Sequence, residues 1–89
     1  MTDLLERRWT ISILYVSNEG AVRFNEFLQA LGSIPPATLT QRLADLENAG
    51  ILEREVIDTR PPRVEYRLTE RGRRLRSLLS ALTRYAETV

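Results

Sequence analysis

The chain has 89 residues, a length that suits one small domain. Hydrophobic residues make up 43% and charged residues 28%, the balance of a folded protein and not of a disordered tail. Cysteine and histidine are both absent, which excludes disulfides, thiol nucleophiles, the Ser-His-Asp arrangement and the usual nitrogen ligand of zinc. We therefore expect one domain over residues 1–89, with no enzymatic activity, no metal site and no cofactor.

The charge is distributed unevenly along the chain. Residues 1–58 hold five Arg and nine acidic residues, net −4, whereas residues 59–89 hold eight Arg and three acidic residues, net +5. The basic part suits a polyanion partner, although a solvated basic helix has the same composition. No apolar run approaches the roughly 18 residues of a membrane span, and the N-terminus lacks a signal-peptide pattern. A cytoplasmic location with no membrane partner is expected.

The segment IPPATLTQRLADLENAG at residues 34–50 is predicted to form a helix with a sharp start and end. Pro36 suits the first helical position, and Gly50 suits the left-handed residue just past the end. Three leucines form one apolar stripe on this helix: Leu39, Leu43 and Leu46. The other faces carry small and polar residues: Ala37, Thr38, Thr40, Gln41, Arg42, Ala44, Asp45 and Asn48. Such a face is either solvated or suited to the base edges of a DNA major groove.

Two helices are predicted before this segment. The first covers residues 2 to about 18, followed by a turn at residues 18–20 and a brief strand near residues 21–23. The second covers residues 24–31, where apolar residues recur at helical spacing. A short helix, a turn containing Gly and a second helix with a polar outer face form the helix-turn-helix pattern.

After Gly50 the apolar period changes from helical to alternating. Residues 51–57 and 64–68 are predicted to be the strands of a hairpin. Pro61 and Pro62 stiffen its tip, and Arg60 and Arg63 flank them. A hairpin after a helix-turn-helix is a wing, whose Arg residues either reach phosphates or a narrow minor groove, or only keep the loop solvated.

The last helix is predicted to begin after Thr69, a good N-cap, and to run to about residue 86. Both this helix and the first carry more apolar surface than one small core can bury, and pairing across a two-fold axis would cover it. The residues expected at this dimer interface are Leu5, Trp9, Leu75, Leu78, Leu79 and Leu82. Binding of the basic helix to a membrane surface is the weaker alternative. The predicted fold is mostly α with a β-hairpin wing, in the order α-(β)-α-α-β-β-α.

Several short strings together resemble the HxlR-type winged helix-turn-helix transcriptional regulators, which share their architecture with MarR-type regulators. They are RWT at 8–10, RFNEF at 23–27, LTQRL at 39–43 and PPRVEYRLT at 61–69. The resemblance spans about residues 8 to 86. It implies a homodimer that binds double-stranded DNA at a pseudo-palindromic operator, with the third helix in the major groove.

The resemblance also assigns expected roles to residues. Thr40, Gln41 and Arg42 fall in the reading helix with Thr38 beside them, Arg60 and Arg63 fall in the wing, and the first and last helices fall at the dimer interface. Arg42 either contacts phosphate or pairs with Asp45. The chain departs from the family at Pro35 and Ala37, where a Ser and a Lys are frequent.

The alternative function is a winged-helix module that binds a protein partner and no nucleic acid, which the acidic first 58 residues favour. The sequence identifies no small-molecule effector, although a groove between the first helix and the reading unit would suit an apolar ligand.

Overall fold

The computed structural model describes residues 2–17 and 22–88. The helices and strands follow in the order α1 Thr2–Glu6, α2 Thr10–Val16, β1 Val22–Arg23, α3 Phe24–Leu31, α4 Pro36–Asn48, β2 Leu52–Ile57, β3 Arg63–Leu68 and α5 Glu70–Thr88. The strands form an antiparallel sheet in the order β1-β3-β2. The predicted fold class, mostly helical with a β-hairpin wing, is confirmed. The predicted turn at residues 18–20 and residue 21 lie outside the described residues.

The core lies between the helices and the inner face of the sheet. It contains Ile13, Leu14, Val22, Phe27, Ile34, Leu39, Leu43, Leu46, Ile51, Leu52 and Leu68. The ring of Phe27 meets that of Tyr66 edge to face, with centroids 6.3 Å apart, which joins α3 to β3. Burial of each such leucine side chain stabilises the fold by about 1.5–3 kcal/mol relative to leaving the side chain exposed.

Helix α4 begins and ends where its sequence predicts. Pro36 is its first residue, and Gly50 takes the left-handed conformation with φ 75°. The N–H of Ile51 donates to the carbonyl of Leu46 (2.9 Å), and that of Gly50 donates to Glu47 (3.0 Å). This pair of bonds is the Schellman motif, which satisfies carbonyls at the end of the helix.

The junction between α4 and α5 is tightly hydrogen-bonded. The hydroxyl of Thr69 donates to the carbonyl of Gly50 (2.6 Å) and accepts from the N–H of Gly72 (3.0 Å). The predicted N-cap at Thr69 is therefore confirmed. The N–H of Thr69 also donates to the carbonyl of Ile51 (3.0 Å), so one residue ties the first turn of α5 to the end of α4.

The prediction of one continuous first helix was wrong. The chain leaves the helix after Glu6 and re-enters it at Thr10, because Trp9 adopts a left-handed backbone with φ 79°. The indole is half-buried and packs against the core, with the guanidinium of Arg8 5.0 Å from the ring centroid. This break also contacts α4, through Arg7 with Asp45 and through the carbonyl of Arg8 with Arg42, and apolar periodicity does not report such long-range contacts.

Candidate nucleic-acid interface

Helix α4 turns its predicted polar face outward. Leu39, Leu43 and Leu46 are fully buried, whereas Thr40 and Gln41 are exposed. The Thr40 hydroxyl donates to the carbonyl of Pro36 (3.1 Å), a bond within the helix that leaves its methyl group and lone pairs at the surface. The predicted orientation of the helix is therefore observed.

A cluster centred on Asp45 lies on the same helix. Its Oδ1 accepts from Gln41 Nε2, and its Oδ2 accepts from Nη1 of both Arg7 and Arg42, each over 2.9 Å. Arg42 Nε also donates to the backbone carbonyl of Arg8 (3.3 Å). The turn between α1 and α2 is thereby attached to α4.

The Asp45 carboxylate is mostly shielded from water, its side chain being 15% exposed. Burial alone would raise its pKa, but hydrogen bonds from Gln41, Arg7 and Arg42 outweigh that effect and hold the pKa of Asp45 below its ordinary value. The carboxylate therefore carries its negative charge at neutral pH, and the cluster is an ion-pair network and not a set of neutral hydrogen bonds.

Of the two alternatives for Arg42, the structure contains the pairing with Asp45, and the Arg42 side chain is 19% exposed. Its contact with phosphate stays a prediction. Thr38 is half-buried and lines a small cavity at the start of α4 together with Arg8 and Trp9. As the departure at Pro35 predicts, no side-chain hydrogen bond caps the start of this helix.

The wing presents both predicted Arg residues at its surface. Arg60 has no ion pair among the described residues, and Arg63 lies 3.8 Å from Glu65 on the same strand. The Thr59 hydroxyl donates to the carbonyl of Pro61 (2.8 Å) and shapes the tip. Two exposed guanidinium groups at the end of a hairpin suit phosphate oxygens.

A cleft between the start of α3 and the wing tip is lined by a basic side chain, that of Arg23, which was not among the residues predicted to bind DNA. Arg23 and Arg63 both line it, and Asn25 and Gln29 add amide groups. Pairing of β1 with β3 places Arg23 opposite Glu65, which brings the two distant segments together. The sequence predicts a brief strand near residues 21–23, but it does not show that this strand pairs with β3 and so brings Arg23 near the wing.

The six residues predicted at the dimer interface fall into two groups. Leu5, Trp9, Leu75 and Leu79 are partly buried against the chain's own core. Leu78 and Leu82 are 59% and 57% exposed, and Tyr85, one turn further on, is 69% exposed. We call Leu78, Leu82 and Tyr85 the apolar face of α5, since they recur at i, i+4 and i+7.

The described residues contain no group of three or more acidic residues that could hold a metal ion. The groove between α1 and the reading unit is lined mostly by charged and polar residues, among them Asp3, Arg7, Asn48 and Arg71. This polar lining does not suit the apolar ligand that the sequence analysis considered for a groove at this place.

A family model described as HxlR-like helix-turn-helix matches residues 4–89. The chain belongs to this family. Among curated relatives, it is 43% identical over 82 residues to the uncharacterized HTH-type transcriptional regulator sll1512 of Synechocystis. The match covers 92% of this chain and 61% of that relative, so the chain spans less than two thirds of its length.

Solved structures carry the same architecture. A regulator of the MarR family from Enterococcus faecalis V583 matches with a TM-score of 0.92 and 36% identity, over 97% of this chain and 78% of its own. The reduced form of the transcriptional regulator YodB from Bacillus subtilis matches with a TM-score of 0.88 and 34% identity, over 97% and 84%. These relatives are named as regulators, which confirms the prediction of a regulatory and not an enzymatic family.

Within residues 2–17 and 22–88 of this HxlR-like chain, no helix is both long enough and apolar enough to cross a bilayer.

Proposed function

We propose that this protein is a sequence-specific DNA-binding transcriptional regulator that acts as a homodimer on a pseudo-palindromic operator. The observation that carries the proposal is the placement of Thr40 and Gln41 on the outward face of α4, whose opposite face is fully buried. A helix held in this way can enter a major groove as a rigid unit. The Arg-tipped wing lies beside it in the chain and would contact the DNA backbone or the minor groove.

The proposed dimer rests on the apolar face of α5. From Ala81 to Glu87 every side chain is exposed, so the end of this helix projects from the core of its own chain. The long dimension of the molecule is 50 Å, against 28 and 22 Å for the other two. A second copy of the chain is the occupant we propose, because an isologous contact covers the same face in both copies.

The dimer must also fit the duplex. Two-fold helix-turn-helix dimers place their reading helices about 34 Å apart, one turn of B-DNA. We expect this separation between the two copies of α4, with the wings on the outer sides of the operator.

The decisive experiment is a titration of the full chain with random duplex DNA at two salt concentrations, followed by selection of bound sequences from a random pool. Binding that weakens with salt, together with a recovered palindromic motif, supports the proposal. Absence of binding at low salt would overturn it and favour the alternative module that binds a protein partner.

Replacing Gln41 with Ala is expected to cost about 1–3 kcal/mol at a single operator position per half-site and to relax base preference there. The alanine variant has no side-chain donor or acceptor for a base edge. Because the Gln41 side chain is exposed, its removal takes no buried group from the fold. Competition titrations with operators varied one position at a time measure the effect. An equal loss on every sequence would contradict base reading by Gln41.

Replacing Arg60 or Arg63 with Ala is expected to weaken binding to all sequences and to lower the slope of log affinity against log salt by about 1 each. Arg74, in the first half of α5, is the matched control, because its side chain is 77% exposed and belongs neither to the wing nor to the apolar face of α5. If the slope is unchanged in the wing variants, the wing does not contact the backbone.

A further inference from the structure

Resting on the proposed function, we infer that Asp45 is a positioning residue that orients the Gln41 amide for adenine in the major groove. The sequence does not indicate this role, because Asp45 lies on the flank of α4 and not on its most exposed face.

The first step is the orientation of the carboxylate itself. Two guanidinium groups, of Arg7 and Arg42, donate to the same oxygen, Oδ2 (2.9 Å each). They come from two different segments, the turn after α1 and helix α4. Charge-assisted bonds of this kind are about twice as strong as neutral ones. With Oδ2 held from two sides, Oδ1 is left to face Gln41.

The second step is the orientation of the amide. Oδ1 of an ionised carboxylate only accepts hydrogen bonds, so the atom of Gln41 that meets it must be the donor Nε2, at 2.9 Å. The reverse orientation would set two acceptor oxygens against each other. Gln41 Oε1 is therefore directed away from Asp45, and one Nε2 hydrogen stays available. A side chain held before binding also loses less rotamer entropy when it binds.

The third step is the base edge that matches this arrangement. An acceptor next to a donor pairs with adenine, which presents the N6 donor and the N7 acceptor in the major groove. Guanine presents two acceptors, O6 and N7, and would oppose Oε1. Asp45 prevents the rotation of the amide that would exchange Oε1 and Nε2. Gln41 is therefore restricted to the orientation that pairs with adenine and not with guanine.

The test compares the wild-type chain, Asp45→Asn, Gln41→Ala and the control Glu47→Gln. Asn has the shape of Asp but offers either a donor or an acceptor to Gln41. Glu47 is exposed on the same helix, so Glu47→Gln removes the same charge without touching the amide. Operators with adenine or guanine at the position that Gln41 controls are titrated with each protein.

We expect the wild type and Glu47→Gln to prefer adenine by about 5- to 150-fold, the range of a bidentate base contact. Asp45→Asn should lower that ratio by about tenfold at this position alone, with ratios at other positions unchanged. A merely structural role of Asp45 would weaken binding to all sequences and leave the ratio intact.

Three results would overturn the inference in distinguishable ways. If Asp45→Asn keeps the wild-type ratio while Gln41→Ala loses it, Gln41 reads its base unaided and the proposed function stands. If the base that Gln41 controls is not adenine, the assigned orientation is wrong. If the wild type binds no duplex, the proposed function fails and the inference fails with it.

A second measurement covers the case in which Asp45→Asn does not fold. In the wild type without DNA, NMR should show slower exchange of the Gln41 side-chain amide protons with water than for Gln29, the exposed glutamine on α3. Equal exchange rates at neutral pH would overturn the inference without any variant.

Discussion

Replacing Leu82 with Asp is expected to convert the proposed homodimer into monomers and to weaken binding to a two-half-site operator by about 10²- to 10⁴-fold. Leu82 is 57% exposed in the single chain, so the substitution disturbs little of the chain's own core. In the proposed dimer the change occurs twice, because a two-fold interface contains the same residue from both copies. Each copy loses the burial of a leucine, about 1.5–3 kcal/mol, and places a carboxylate where water is excluded.

Sedimentation measures the oligomeric state, and circular dichroism reports whether the variant is folded. Val56→Asp is the matched control for oligomeric state and folding alone, since Val56 is an apolar residue of nearly the same exposure, 56%, but lies on the wing that is proposed to contact DNA. A duplex with one half-site completes the design: its affinity should be the same for the wild type and Leu82→Asp. A Leu82→Asp variant that is folded and still dimeric would show that the apolar face of α5 is not the interface.

Leu79 is less suitable for this test than its sequence pattern indicates. The helical stripe includes Leu79 with Leu78 and Leu82, and Leu79→Asp would accordingly be expected to give monomers. In the structure, however, Leu79 packs against the core of its own chain. An Asp there would therefore disturb folding and association together, whereas Leu78 and Leu82 separate the two effects.

The second large effect is expected from Gly72→Ala, which should lower the free energy of unfolding by about 3 kcal/mol, the upper end of overpacking costs. Gly72 lies in the first turn of α5 and is buried. A Cβ atom there would overlap the backbone carbonyl oxygen of Ile51 and would lie 3.0 Å from Leu68 Cδ2. Because the overlapping atom belongs to the backbone, a rotamer change cannot relieve the contact.

Helix propensity predicts the opposite sign, since Ala in a helix is favoured over Gly by about 0.8–1.0 kcal/mol. Urea unfolding distinguishes destabilisation by overpacking from stabilisation by helix propensity. All variants are measured at one protein concentration, because association adds to the apparent stability. Ser77→Ala, at an exposed position of the same helix, should change stability by no more than about 0.5 kcal/mol. A Gly72→Ala protein as stable as the wild type would mean that α5 lies further from Ile51 than the structure places it.

Sequence patterns predicted the elements whose limits depend on local chemistry. Pro36 and Gly50 set the start and end of α4 through backbone conformation alone. The hydroxyl of Thr69 caps α5 within three residues of its own position. The outward face of α4 also followed from the sequence, because burial of the leucine stripe determines which side remains at the surface.

The features that escaped prediction depend on contacts between distant parts of the chain. Arg7 and Asp45 are separated by 38 positions, and neither shows from its neighbours that the other is its partner. The helix break at Trp9 is of the same kind, since the apolar spacing before and after it continues the helical period. Arg23 came near the wing only through the register of β1 on β3. Tertiary packing determines all three features, and the spacing of residues along the chain carries no information about tertiary packing.

The hydrogen-bonded junction at Thr69 has a mechanical consequence. Because it joins the end of α4 to the start of α5 without a flexible linker, α5 acts as a lever about 28 Å long, at 1.5 Å per residue. A tilt of about 10° at the far end of such a lever displaces its near end by about 5 Å, more than the 3.4 Å step between successive nucleotides of a strand. In the proposed homodimer, a small change in the angle between the two protomers would thus shift the reading helices out of phase with the operator.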